Sequence, residues 1–303
     1  MPDATVPIAA PLSPAPDAPS GKMLARSPWA ESWAIFRRNR AALLGLALLA
    51  AVALLLMFAP RFYAIDPFEI VGSPNTPPGT EVPLGTDFLG RDVLAGIVVG
   101  GRPTVMVGFC AALITTLIGI TIGALSGYYG RMTDRLLGRV IEFFQVLPAL
   151  LFAMVLITLF APSFFTVTLA IGLVAWPSMA RLTRAEFLRI RQLDYVRSAR
   201  SIGASDARII LRTILPNALP PIIVSATLAT GTAILFEAGL SFLGLTDPNI
   251  MSWGLMVGSG RTHLREAWWA VTFPGMCIFI TVLGICLVGD GLNDAFNPKL
   301  RQR

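Results

Sequence analysis

Three observations predict an all-α membrane protein with six transmembrane helices. The chain has 303 residues, of which 54% are hydrophobic and 14% charged, with a mean hydropathy of +0.68. A soluble globular domain carries roughly 25% charged residues. The apolar residues come in long runs that match the roughly 20 residues needed to cross a bilayer. They do not alternate as the strands of a closed barrel would. The basic residues are distributed unevenly between the loops that join those runs.

The elements follow in order. Residues 1–28 hold Pro2, Pro7, Pro11, Pro14, Pro16, Pro19 and Pro28 among alanines and serines. Such a composition cannot bury a core, so it is expected to form a disordered tail. It lacks the apolar h-region of a signal peptide. The predicted spans are Ala41–Ala59, Val105–Gly127, Val140–Phe160, Phe164–Ala180, Ala218–Leu240 and Ala270–Gly289. The fourth is short, and only Ala161, Pro162 and Ser163 separate it from the third, which suggests a tight turn outside. Gly119, Gly123 and Gly127, at i, i+4 and i+8, predict close approach of a second helix. Trp268 and Trp269 open the sixth run and read as interfacial anchors.

Charge sets the orientation. Nineteen lysines and arginines lie on the side of the termini, in the tail, the loop after the second span, the loop after the fourth and the C-terminus; five lie opposite. Both termini are therefore expected in the cytoplasm. The net charge of +6 is then a topology signal and calls for no nucleic acid.

Several chemistries are excluded. Cys110, Cys277 and Cys286 fall inside apolar runs and read as small lipid- or core-facing residues. The single His263 leaves no multi-histidine metal site. Lys22 precedes Met23 and Lys299 precedes Leu300, so neither fits the GxxxxGK[ST] phosphate loop.

The longest loop on the basic side holds "LDYVRSARSIGASDARIILRTILPN", Leu193–Asn217. Tyr195, Ala199 and Ile202 form a narrow apolar stripe at helical spacing, with Arg197 and Arg200 beside it. Gly203 suits the left-handed position that ends a helix. Ser205 or Asp206 can cap the next helix, which Ile209, Ile210 and Ile214 continue, and Pro216 should bend it. Two readings stay open on spacing alone: an amphipathic elbow resting on anionic headgroups, or a docking handle for a soluble partner.

"RSARSIGASDARIILRTILP" resembles the EAA loop of ATP-binding-cassette importer permeases. Arg197, Ser198 and Ala199 take the first three places, Gly203 matches, and Thr213, Ile214, Leu215 and Pro216 complete the motif. Arg197, Ser198 and Thr213 depart from the usual pattern. "LGTDFLGRDVLAGIVVGGR", Leu84–Arg102, and "GDGLNDAFNPKLRQR", Gly289–Arg303, resemble segments of the C-type subunit of dipeptide, oligopeptide and nickel permeases. "ILFEAGLSFLGL" and "SWGLMV" fit it too. The resemblance covers roughly residues 30–303 and implies a type I importer permease fold with a cytoplasmic coupling helix.

It also implies half of a heterodimeric pore for peptides or similar solutes in a bacterial inner membrane. Its partners would be a homologous second permease, two ABC ATPase subunits that bind the ATP and magnesium, and an extracytoplasmic solute-binding protein. No cofactor and no catalysis are expected in this chain. Tyr195, Val196, Arg197, Ser198, Ala199, Arg200, Ile202, Gly203, Ala204 and Ser205 become the ATPase-coupling segment. The expected organisation is a tail over residues 1–28, a first helix with a periplasmic amphipathic segment over 29–100, and a core permease domain with five helices over 101–303.

Ionisable residues at membrane depth are functional candidates. Glu237, near the outer end of the fifth span, is expected either to line the pathway or its external gate, or to bond a neighbouring helix. Glu142, three residues after Arg139, is expected to form a structural ion pair. Asp290, at the inner end of the sixth span, is expected to take a cytoplasmic hydrogen bond. The outside segments 61–102 and 241–269 are expected to be loops and short amphipathic pieces open to a binding protein. An ion-coupled secondary transporter is the alternative. It would need acids or broken helices at mid-membrane, and no acid lies at the centre of a predicted span.

Overall fold

Apolar segments that leave water must satisfy their own backbone groups, and helices do so within one segment. The computed structural model describes residues 33–296. The predicted tail therefore lies outside the described residues, as does the C-terminal motif beyond Phe296. The helices are α1 (Arg40–Phe62), α2 (Val93–Tyr129), α3 (Arg131–Val146), α4 (Ala149–Phe160), α5 (Phe164–Arg191), α6 (Asp194–Ser201), α7 (Asp206–Phe242), α8 (Trp253–Gly260) and α9 (Trp269–Phe296). Isolated bridges pair Ile70 with Arg91 and Thr86 with Asp92.

Five helices, α1, α2, α5, α7 and α9, are long and apolar enough to cross a bilayer unaided. The sixth predicted span is broken: α3 and α4 pass the same test only as a pair, bent by 87°. Pro148 is the cause. It excludes its predecessor from helical backbone, and Leu147 is extended at φ −67°, ψ 130°. The 12 residues of α4 reach about 18 Å, short of the roughly 30 Å hydrocarbon core. The predicted third run thus continues straight through a corner.

The other helices outrun their apolar cores because of their caps. Asp92 Oδ1 accepts from the amides of Leu94 (2.7 Å) and Ala95 (3.3 Å), starting α2 well before Val105. Asn39 caps α1 through Ala41 (3.0 Å) and Ala42 (3.1 Å). Ser163 caps α5 through Thr166 (3.1 Å) after the turn at Ala161, whose φ is +65°. Pro216 does not interrupt α7. Pro216 has no amide to donate, and just before it Ile209–Ile214 winds more widely as a π-helix; the helix continues from Leu215.

The α2 glycines do what their spacing predicts. A methyl group at Gly119 would lie 2.5 Å from Met179 Cβ, one at Gly123 2.5 Å from the Ala180 carbonyl oxygen, and one at Gly127 2.6 Å from Phe187 Cβ. These are backbone-level contacts with α5. On the other flank, a methyl at Gly45 of α1 would meet Leu287 Cβ of α9 at 2.7 Å.

Residues 63–92 form a folded lid on the end of the bundle where α2 begins. Thr86 donates to the Ser73 carbonyl (2.7 Å), Asn75 N–H donates to the Asp87 carbonyl (2.9 Å), and the Trp269 indole donates to the Thr86 carbonyl (3.0 Å). Trp269 is consequently buried, while Trp268 stays exposed as the anchor reading expects. Part of the second outside segment also departs from expectation, because α8 is wedged into the protein. Trp253 is fully buried and donates to the Ile97 carbonyl (2.9 Å), and a methyl at Gly254 would touch Ser241 Cβ at 2.6 Å.

Candidate functional site

The opening candidate is α6 with its two flanking turns. Its stop is a Schellman motif: the Ala204 amide bonds the Ala199 carbonyl (3.1 Å) and the Gly203 amide bonds that of Arg200 (3.0 Å). Gly203 has φ +80°, and a Cβ added there would meet no heavy atom within 4 Å, so backbone conformation alone calls for glycine. Ser205 takes the cap position of α7 without a side-chain bond, and Asp206 lies in the first turn.

The predicted stripe is only partly the packed face. Val196 is the anchor, 1% exposed, within a cluster that includes Phe187, Ile190, Ile209 and Ile214; Ala199 and Ala204 lean on it. Tyr195 and Ile202 face outward, Ile202 being 84% exposed. The helix therefore keeps one apolar foot in the protein and presents an aromatic, an isoleucine and arginines outward. Arg197 is 3.7 Å from Asp194, both open to solvent.

A second set of contacts ties this elbow to the C-terminal end of α2, and spacing could not reveal it. Tyr128 donates to Asp206 (2.5 Å), and the Arg200 guanidinium lies 5.5 Å from the Tyr128 ring centroid. Arg191 donates to the Tyr128 carbonyl (2.6 Å), satisfying a helix-end acceptor. Nearby, Arg184 holds Asp134 through Nε (2.5 Å) and Nη2 (2.8 Å), and Ser126 donates to the same carboxylate (2.6 Å). For the contacts to Arg184, Arg191, Arg200 and Asp206, the only sequence signal was membership of the basic loops, because those partners are 50 to 78 residues apart.

Two expected roles move to other residues. Glu142 is exposed and forms no ion pair with Arg139; Asp134 is the acid of that region, paired across helices with Arg184. Asp290 is exposed and makes no hydrogen bond among the described residues. One turn later, Asp294 accepts from Asn39 (2.9 Å) and joins α9 to the start of α1. Asp294 lies on nearly the same face as Asp290 but one turn further along, level with Asn39.

Glu237 is 2% exposed. It accepts from Ser241 (2.6 Å), whose oxygen accepts from Ser252 (3.2 Å), the residue that caps α8. The carboxylate thus sits where α7 meets α8, beside Pro103 of α2 and Ser163. At the lid, Tyr63 donates to Asp92. Burial first, and then this hydrogen bond, push the Tyr63 hydroxyl up to about 12, so it stays protonated at neutral pH.

Between α2, α4, α5 and α7 lies a cavity of about 380 Å³ lined by Thr115, Ser178, Ser225, Thr232 and apolar side chains, none of them ionisable. A bundle of membrane-length helices packed through caps and glycine contacts, with an uncharged cavity in its wall and a helical handle on one end, has the architecture of a membrane transport permease.

The comparisons agree. Residues 119–302 match the family described as binding-protein-dependent transport system inner membrane component, and residues 27–78 match the N-terminal TM domain of oligopeptide transport permease C. The chain is 37% identical over 294 residues to the dipeptide transport system permease protein DppC of Alkalihalophilus pseudofirmus, covering 96% of this chain and 97% of that one. It is 36% identical over 277 residues to the oligopeptide transport system permease protein OppC of Bacillus subtilis, covering 90% of each. In fold it is similar to a chain of the MetNI methionine ABC transporter in inward-facing conformations, with a TM-score of 0.55, 19% identity and coverage of 64% of this chain and 93% of that one. A chain of an amino acid ABC transporter gives a TM-score of 0.52 at 17% identity, covering 65% and 92%. The chain belongs to the binding-protein-dependent transport system inner membrane component family and is a permease subunit of an ABC importer.

Proposed function

We propose that this chain forms half of a two-permease pore in a bacterial inner membrane, with both termini in the cytoplasm. Two ATPase subunits dock on α6, and a solute-binding protein delivers peptides or similar small solutes to the lid side. The chain itself catalyses nothing; ATP and magnesium belong to the ATPases. The single observation that carries this reading is the construction of α6. It is anchored by Val196, stopped at Gly203 and tied through Arg200 and Asp206 to Tyr128 at the end of the 37-residue α2. A push on Tyr195 and Ile202 would reach a helix that runs to the outer lid, which suits alternating access. The names of the relatives support peptides as the solute class. The basic-residue asymmetry supports the orientation.

The test uses Gly203. A β-branched residue at its positive φ costs about 1–2 kcal/mol locally, whereas asparagine tolerates that conformation. Gly203→Val should leave permease abundance near wild type, abolish uptake, and either weaken ATPase recruitment or uncouple hydrolysis from substrate; Gly203→Asn should restore most uptake. Recruitment and uptake near wild type in Gly203→Val would remove the coupling role. Active transport by this chain alone in liposomes without ATP would favour the ion-coupled alternative.

A further inference from the structure

The uncharged cavity does not end at mid-membrane. Ser178, exposed on α5, lines both that cavity and the next one toward the basic end of the bundle, which Gln145, Arg181 and Arg184 also line. Those three residues in turn line a third cavity of about 460 Å³ with Arg135, Arg139 and Glu142. Ser178 is thus a wall common to the first two spaces, and Gln145, Arg181 and Arg184 are common to the last two, so the three lie in succession. Along α5, positions 174, 178, 181 and 185 fall on one helical face, so a single helix supplies the wall from the uncharged region to the mouth.

The charge along this trail changes abruptly. The middle section offers hydroxyls and apolar side chains only. In the mouth, Arg184 is neutralised by Asp134. Arg181 donates to the neutral Gln145 (3.1 Å), and Arg135 to the Met132 sulfur (3.9 Å). Among the described residues, Arg135, Arg139 and Arg181 have no carboxylate at ion-pair distance. Glu142 is the one acid of the mouth left to oppose them. The 87° corner at Pro148 opens this mouth, because it carries α3 with Arg135, Arg139 and Gln145 away from the line of α4.

We propose that this trail is the inner half of the solute path and that Arg135, Arg139 and Arg181 form a cationic vestibule acting on oxyanion-bearing solutes, such as those with a free carboxylate. The proposal rests on the permease reading above and adds the route and its charge preference. A neutral midsection holds no charged group tightly, and the positive mouth favours the anionic end of a leaving solute. Lipid phosphates are the other source of oxyanions, and the test separates the two.

The experiment uses the complete transporter in inverted membrane vesicles at low ionic strength. Cys110, Cys277 and Cys286 are first replaced by serine, and Ser178→Cys is then introduced. Labelling rates are measured from the arginine-rich face with the anionic reagent methanethiosulfonate ethylsulfonate and the cationic ethyltrimethylammonium analogue. A unit charge about 10 Å away in a water-like medium changes the two local concentrations about twofold in opposite directions, so each arginine should change the rate ratio roughly fourfold. Arg181→Gln and Arg139→Gln should lower the anion-to-cation ratio, and Arg181→Lys should preserve it, which excludes a general folding defect. No labelling of Ser178→Cys from this face would overturn the route. An unchanged ratio, with less anionic lipid co-purifying, would assign the arginines to headgroups and overturn the vestibule. ATP-dependent uptake by the cysteine-free parent tests the permease reading separately.

Discussion

Glu237 shows how a single side chain can help join two elements, α7 and α8. Its carboxylate accepts from Ser241 on its own helix, and Ser241 accepts from the α8 cap Ser252. Glutamine retains a carbonyl acceptor for the Ser241 hydroxyl but removes the charge. Glu237→Gln should therefore assemble normally while changing substrate-stimulated ATP hydrolysis or uptake. Glu237→Leu leaves the buried Ser241 hydroxyl without its acceptor and should cost about 1–3 kcal/mol, seen as a lower melting temperature of the purified complex. If the glutamine variant loses assembly as the leucine variant does, the acid is only a structural joint. At this scale the sequence was informative about residue type and poor about partners. Gly203 was legible because a positive φ leaves a local mark. Tyr128 with Asp206 and Arg184 with Asp134 were not, since no spacing rule links residues brought together by different helices.

Helices fared better, wherever one short-range rule governed them. The i, i+4, i+8 glycines of α2 predicted a close neighbour, and α5 lies against all three. Gly123→Leu would drive a side chain into the Ala180 carbonyl and Thr183; overpacking of this kind costs about 1–3 kcal/mol or more. It should reduce the amount of folded permease in membranes, whereas Gly138→Ala, with nothing within 4 Å, should not. Normal abundance for Gly123→Leu would show that the α2–α5 contact is loose. The broken span is the opposite case. Hydropathy treats Val140–Phe160 as one run because it sums over a window, while the corner depends on one proline and the backbone of the residue before it.

The molecule as a whole carries its orientation in its loops. With nineteen basic residues on one side and five on the other, reporter fusions after Gly130, Leu193 and Arg303 should behave as cytoplasmic, and one after Pro74 as external. An external signal after Leu193 would invert the protein and move α6 away from any ATPase. The same placement decides which face of the trail past Ser178 and Arg181 opens inward.

The sequence by itself determined the class, the helical content and the spans' approximate places, because apolar transfer and basic asymmetry are sums over many residues and tolerate local error. It also determined the helix–glycine–helix shape of residues 194–214, since helix stops and starts are set within a few residues. The tertiary structure alone decided which acids are structural, which face of α6 is sunk through Val196, and that Trp253 and Trp269 are core residues. It alone placed the uncharged and the basic cavity on either side of Ser178. Each of these depends on the rotation of one helix about its axis relative to another, a quantity fixed by packing between segments far apart in the chain.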